Sequence, residues 1–302
     1  MTPTKTSMLG DRPVGRIGFG AMQLAGPGVF GPPRDRDAAL AVLRRAIELG
    51  VDHVDTSQFY GPDVTNDLIR EALHPYPDGL RLATKVGARR DDQGGWLPAQ
   101  RPTELREGVE ANLRSLGVER MDLVNLRLLE GEGGPEVPLA EQLGALEDLR
   151  REGKLELIGI SNVSRARAEE ALELVDVAGV QNAYSILDRS GEDVLELSRE
   201  RDIAFVPFFP LGSAFTGGPA KLAADPAIAR VAAKHDATPS QIALAWLLHR
   251  DEHILLIPGT TSVAHLEENL AAGDVTLDAD DLADLDDVTP AGSPQETVTH
   301  DT

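Results

Sequence analysis

The chain has no cysteine, which excludes disulfides, thiolate nucleophiles and thiolate metal sites. Positive charge is in deficit: 50 acidic residues face 29 basic ones, and the formal net charge is -21. Such a surface repels nucleic acid and anionic membrane, so neither is expected as a partner. No segment approaches the ~18 apolar residues of a membrane span. The opening stretch MTPTKTSMLG lacks the apolar run of a signal peptide, and the chain reads as cytoplasmic. His53, His74, His235, His249, His253, His265 and His300 form no H-x-H or H-E-x-x-H pattern, so no metal site is expected. No G-x-S-x-G elbow for a serine nucleophile occurs either.

The sequence does have enough apolar content, 41% of 302 residues, for a large core. No Pro/Gly/Ser-rich linker divides it, and GEGGPEVP at 131–138 reads as a loop. Short apolar runs at 17–22, 53–55, 80–86, 123–128, 157–160, 180–184, 205–208 and 255–258 alternate with helix-period segments. Among the latter, 37–49 stops at Gly50, 103–116 starts with a capping box and stops at Gly117, and 139–151 stops at Gly153. Thr238-Pro239 opens a helix at 240–249, and another follows the last apolar run at 263–271. Strands alternating with helices argue for a parallel sheet, and eight such units for closure into a (β/α)8 TIM barrel. α/β barrels of ~250 residues often form one domain, so residues 1–302 are expected to be a single barrel domain. An N-terminal β-hairpin turning near Gly10-Asp11, an extra C-terminal helix at 278–287 and a polar tail at 291–302 complete the expectation. The competing doubly wound fold fails on GFGAMQLAGPG at 18–28, whose glycines do not enter a helix directly.

Reactive groups of such a barrel collect at the C-terminal strand ends. Asp55 ends the second apolar run, Tyr60 lies just beyond, Lys85 ends the third and Arg127 the fourth. Neighbouring strands are ~5 Å apart, so the four can converge. Of the lysines (Lys5, Lys85, Lys154, Lys221 and Lys234) Lys85 alone sits in an apolar strand pattern. A buried ammonium needs a partner, and Asp55 can supply it. A phenol ordinarily holds its proton to ~10, but a cation alongside favours the phenolate, and Tyr60 would then serve as an acid. Structural alternatives stand beside each: an ion pair filling the barrel mouth, a packing tyrosine, or Arg127 paired with a loop acid such as Glu130.

On the pieces GFGAMQL, GVDHVDTSQFYG, ATKVG, GISNVS, VQNAYS, VPFFPLGS and IPGTTSVAHLEENL, in that order, the chain resembles the aldo-keto reductases over nearly its whole length. The resemblance implies a barrel that binds NADPH, with NADH a poorer cofactor, and that reduces an aldehyde with Tyr60 as proton donor and Asp55 and Lys85 tuning it. It places Ser161, Asn162 and Gln181 on the nicotinamide carboxamide and Phe208 against the nicotinamide ring. Ala21, Met22 and Asp55 fall beside the cofactor. Leu211, Gly212 and Ser213 form the turn that would meet the pyrophosphate, with Phe209 and Pro210 beside the cofactor; Gly259, Thr260 and Thr261, after Pro258, precede a helix whose N-terminus suits a phosphate, which Thr260, Ser262 and His265 could bind. Glu268 and Asn269 match positions that grip the adenine. Met22, Gln23, Phe30, Phe59 and Trp96 are further pocket candidates, Trp96 on a Gly-rich lid loop.

The sequence departs from the family in two places. Arg127 stands where a histidine usually ends the fourth strand; arginine stays cationic and offers a rigid donor fork, so it would polarise or hold an anionic oxygen rather than give a proton. Gly259 and His265 stand where a lysine and an arginine often surround the adenosine 2′-phosphate. AMQLAGPGVFGPPRDR together with VNLR resembles the pyridoxal reductase branch, whose substrate carries an aldehyde ortho to a phenolate. Other readings are a broader aldehyde reductase, a barrel aldolase using Lys85, and a non-catalytic nicotinamide-binding subunit. The family is often monomeric, and a monomer is expected.

Overall fold

A computed structural model of the chain describes residues 5–129, 137–213 and 217–290. Strands β1 (Thr6–Leu9) and β2 (Arg12–Gly15) pair antiparallel around Gly10 and Asp11, as the expected hairpin. β3 (Phe19–Gly20), β4 (His53–Asp55), β5 (Arg81–Arg90), β7 (Met121–Arg127), β8 (Leu155–Ser161), β9 (Val177–Gln181) and β10 (Ala204–Phe205) pair parallel in that order. The remaining stave is residues 254–256. Leu255 N donates to Phe205 O at 2.9 Å and Leu256 N to Arg16 O at 2.8 Å, which carries the sheet back to its first strand and closes the barrel.

Helices wrap the outside because their apolar residues recur at three- and four-residue intervals. α1 (Arg36–Glu48) buries Ala39, Leu40, Val42, Leu43 and Ala46. α3 (Pro102–Leu116) buries Leu105, Val109, Asn112 and Leu116. Between them lies α2 (Val64–Leu73), and α4 (Leu139–Arg151), α5 (Arg165–Leu174) and α6 (Glu192–Glu200) follow β7, β8 and β9. After β10 come α7 (Gly218–Ala224), α8 (Pro226–Lys234), α9 (Pro239–Arg250), α10 (Val263–Ala271) and α11 (Ala279–Asp286). Gly117 ends α3 at φ 71°, the left-handed conformation that favours glycine. None of the described helices is long and apolar enough to cross a membrane.

Strand alternation sorts side chains into two layers. Val124, Leu126, Ile158 and Ile160 face the helices, while Ala83, Leu123, Ala204 and Leu255 face inward and meet Leu9 and Val14 of the hairpin. The hairpin therefore plugs the barrel end opposite the strand C-termini. A side chain at Gly159 would bring its Cβ to 2.1 Å from the Asn125 amide oxygen, so only glycine leaves that interior asparagine room.

Three expectations need correction. The first strand covers only Phe19–Gly20 of 17–22; its last barrel bond, Gly20 N to Pro258 O, is already 3.5 Å, and Ala21–Leu24 turns off as a 3-10 helix. The third strand runs past 86 to Arg90 and folds back as β6 (Trp96–Ala99), so Trp96 belongs to an antiparallel hairpin and not to a loop. The Asp91 carboxylate makes that turn by accepting from Gln93 N at 2.9 Å and Gly95 N at 2.7 Å. The box at the start of α3 begins two residues earlier than read, with Glu104 accepting from Arg101 N at 3.0 Å. The polar tail at 291–302 and the loop acid Glu130 lie outside the described residues.

The closing stave is tied down at its start. His253 Nδ1 lies 2.7 Å from Asp251 Oδ1 and Nε2 lies 3.0 Å from Asp202 Oδ1, while Arg199 also pairs with Asp251. Burial alone would lower the His253 pKa, but the two carboxylates outweigh it and hold it above the ordinary 6.5. A raised folded-state value stabilises fully below the unfolded value and loses its contribution as pH rises through the folded one. His253→Gln is therefore expected to flatten the fall in unfolding free energy above about pH 6.5, read from urea curves across the neutral range.

Candidate active site

The C-terminal ends of β4, β7, β8 and β9, with Lys85 in the middle of β5 and not at its end, bring one polar cluster together inside the barrel mouth. Asp55 and Lys85 are 5% and 4% exposed. The Lys85 ammonium donates to Asp55 Oδ1 and, at 3.2 Å, to Thr56 O. Gln181 Nε2 donates to the other Asp55 oxygen at 2.9 Å. Tyr60, 6% exposed, leans in from the loop after β4, its ring centroid 5.1 Å from Lys85 Nζ. Burial disfavours the Lys85 charge, yet the Asp55 carboxylate and the Tyr60 hydroxyl, by charge and hydrogen bonding, hold its pKa above the ordinary lysine value. The lysine is thus a fixed cation with a phenol beside it and a carboxylate behind it.

Arg127 ends β7, paired with Ser161 on β8, which in turn pairs with Gln181 on β9. Its guanidinium carbon lies 5.6 Å from the Phe208 ring centroid, and among the described residues no carboxylate pairs with it. Two buried polar atoms here have no hydrogen-bond partner: Ser161 Oγ and Gln181 Oε1. Buried polar atoms are almost always paired, so a donor and an acceptor side by side on adjacent strands point to a missing polar group. Asn162 differs. It is exposed, sits at φ 60°, and its amide already donates to Leu128 O at 2.9 Å.

Aromatic side chains wall one side. Phe59 meets Tyr60 and Trp96 edge-on, both at 5.4 Å between centroids, and Met22 packs against Phe59, Tyr60, Ala88 and Leu129. Arg90 was not singled out by its sequence. Its guanidinium carbon lies 4.0 Å from the Trp96 centroid and 5.6 Å from that of Phe30, and Nη2 donates to Gly28 O at 2.8 Å. It joins the β5–β6 hairpin to the loop carrying Phe30; only its place before an Asp-Gly-rich turn hints at this. Gln23 is exposed at the rim.

The remaining candidates form two backbone segments. Phe208 N donates to Asn182 O at 2.9 Å, Phe209 takes φ 58° and Gly212 N donates back to Phe209 O at 2.8 Å, so Pro210 and Leu211 lie in a tight turn that leads to Ser213. Past the closing stave, Pro258 and Gly259 lead to Thr260, whose Oγ1 accepts from Ser262 N at 3.1 Å. Ser262 caps α10 by accepting from His265 N at 3.4 Å. The helix N-terminus with Thr260, Thr261, Ser262 and His265 offers donors to an anion. Farther along α10, Asn269 is buried, and Glu268 already accepts from Thr238 Oγ1 at 2.5 Å. Ala21 is fully buried after β3. Among the described residues no cluster of three or more His, Asp or Glu side chains could hold a metal ion.

The sequence model of the Aldo/keto reductase family matches residues 16–290. Pyridoxine 4-dehydrogenase of Escherichia coli (strain K12) is 50% identical over 287 residues, 94% of this chain and 98% of that protein. The crystal structure of a thermostable aldo-keto reductase with the inhibitor epalrestat superposes with a TM-score of 0.80 at 28% identity, over 94% of this chain and 99% of that one. That of an aldo-keto reductase from Klebsiella pneumoniae in complex with NADPH gives 0.80 at 25% identity, over 97% and 98%.

Proposed function

The chain belongs to the aldo/keto reductase family and is an oxidoreductase, and from that premise we propose that it reduces pyridoxal to pyridoxine with NADPH, using Tyr60 as the proton donor. The observation that carries the chemistry is the buried Asp55–Lys85 pair facing Tyr60. The 50% identity to a pyridoxine 4-dehydrogenase and the cation at Arg127 support the substrate.

The unpartnered Ser161 hydroxyl and Gln181 carbonyl fit a carboxamide, one able to donate to its oxygen and the other to accept from its nitrogen. Ser161 and Gln181 would therefore hold the nicotinamide, with Phe208 against its ring and Asn162 at its edge. Residues 209–213 and the donors from Pro258 to His265 would bind the phosphates, and Glu268 and Asn269 the adenine end; Ala21 and Met22 would flank the mouth. When bound, the reduced nicotinamide supplies the hydride that the carbonyl carbon accepts.

Tyr60 gives its hydroxyl proton to the carbonyl oxygen as the C=O π bond breaks. The Lys85 ammonium stabilises the phenolate left behind, which takes its next proton from water. Asp55 keeps that ammonium charged and aimed. Arg127 holds the substrate's phenolate oxygen next to the aldehyde, and Phe30, Phe59, Trp96, Met22 and Gln23 enclose the ring. A Schiff-base role for Lys85 needs a free amine, and its two carbonyl and carboxylate acceptors oppose that form. The enzyme works as a single-domain, cytoplasmic monomer.

The test is NADPH oxidation with pyridoxal and with benzaldehyde, for the parent and for Arg127→His, repeated with NADH. Arg127→His is expected to cost about ten-fold in kcat/KM on pyridoxal, the scale of one charge-assisted contact, and little on benzaldehyde. Equal losses on both would leave a broad aldehyde reductase without a special role for the arginine.

A further inference from the structure

Behind the barrel wall, away from the mouth, lies a polar network that the reaction scheme above does not use. Thr56, Thr84, Asn66 and Asn112 are all fully buried, between β4, β5, α2 and α3. Thr84 Oγ1 donates to Asn112 Oδ1 at 2.6 Å, and Asn66 Nδ2 donates to the same oxygen at 3.0 Å. Asn66 Oδ1 accepts from Thr56 Oγ1 at 2.8 Å. Asn112 is itself fixed, since its Nδ2 donates to Gly108 O at 2.8 Å within α3.

The ends of this network abut the reacting groups. Thr84 precedes Lys85 on β5 and points to the opposite face of the same strand. Thr56 follows Asp55, and its carbonyl accepts from the Lys85 ammonium at 3.2 Å. Next to Asn66, Thr65 Oγ1 donates to Tyr60 O at 3.1 Å. The first turn of α2 thus grips the start of the loop at Thr56 and the backbone of Tyr60 itself, and Asn112 ties that turn to the strand that carries Lys85.

We propose that Asn112, through Thr84 on one side and Asn66 with Thr56 on the other, is a positioning residue that sets the spacing between Tyr60 and Lys85. The chemistry asks for this. A phenol and an ammonium on separate elements must keep one separation through the proton transfer, and an apolar interface permits sliding that a shared acceptor does not. The inference rests on Tyr60 being the proton donor.

The experiment measures pyridoxal reduction by the intact enzyme with NADPH for Thr84→Val and Thr56→Val, which keep shape and remove one arm each. The serine variants at the same positions restore the hydroxyl. Each valine variant is expected to lower kcat about ten-fold, less than the ~100-fold cost of a full 1 Å misplacement, with KM for both substrates nearly unchanged. Each serine variant is expected to recover most of kcat. Asn112→Leu removes the shared acceptor and is expected to lose more than either; if it does not fold, the valine and serine pairs still decide. Valine variants with parental kcat, beside an inactive Tyr60→Phe, would overturn the positioning role and leave the proton donor standing. An active Tyr60→Phe would overturn both.

Discussion

Replacing Tyr60 by phenylalanine is expected to lower kcat for aldehyde reduction by about 10²–10⁴-fold, the usual worth of a placed general acid, while dinucleotide binding survives. The substitution removes one oxygen and little else. The ring packs edge-on to Phe59 at 5.4 Å and belongs to an apolar cluster with Ala88 and Leu129, contacts that phenylalanine keeps. Lys85 retains Asp55 and Thr56 O, so its charge stays compensated. Stopped-flow measurement at saturating NADPH separates the arms: binding is read from fluorescence quenching and turnover from absorbance decay. Undiminished turnover would remove Tyr60 from the proton's path, and lost binding would assign it to the cofactor instead.

The sequence makes Asp55 and Lys85 readable because a charge inside an apolar, period-two strand has few ways to be stable. Lys85 lies between Thr84 and Val86, both facing the helices, so alternation alone turns it inward. Barrel closure was readable from the count of alternating units, although the closing stave at 254–256 is held by only a few bonds. What the sequence concealed was set by tertiary partners. Asn162 and Gln181 look alike as side-chain amides, yet the first donates to Leu128 O while the second donates to Asp55 and keeps a buried carbonyl oxygen without a donor. Trp96 reads as a loop residue because Asp91, Gly94 and Gly95 dominate the local pattern, but those residues build a tight turn between strands. Arg90 carries only the faint signal of its place before the turn, and the Asn66–Asn112 pair carries none. An arginine near a turn and asparagines on helices normally face water, and only the packing of the hairpin and of α2 on α3 decides otherwise.

Lys85→Met is expected to abolish turnover and to destabilise the fold by about 3–5 kcal/mol, because breaking a buried pair leaves an uncompensated charge. Methionine reproduces the length and the apolar stem but not the cation. Asp55 would keep a single side-chain donor, Gln181 Nε2 at 2.9 Å, at a position where it is nearly buried. The loss should show as a lower urea midpoint with an unchanged m-value, since the fold is the same and only its stability falls. The double replacement Lys85→Met with Asp55→Leu separates the two roles of the pair. Exchanging a whole buried ion pair for apolar side chains is often neutral or better for stability. The double variant is therefore expected to regain most of the urea midpoint while remaining inactive. A folded, stable and inactive barrel would mean that the pair is kept for chemistry and costs the fold something to hold. A double variant as unstable as the single one would mean that Asp55 and Lys85 hold the barrel mouth together, with their place beside Tyr60 a consequence of that.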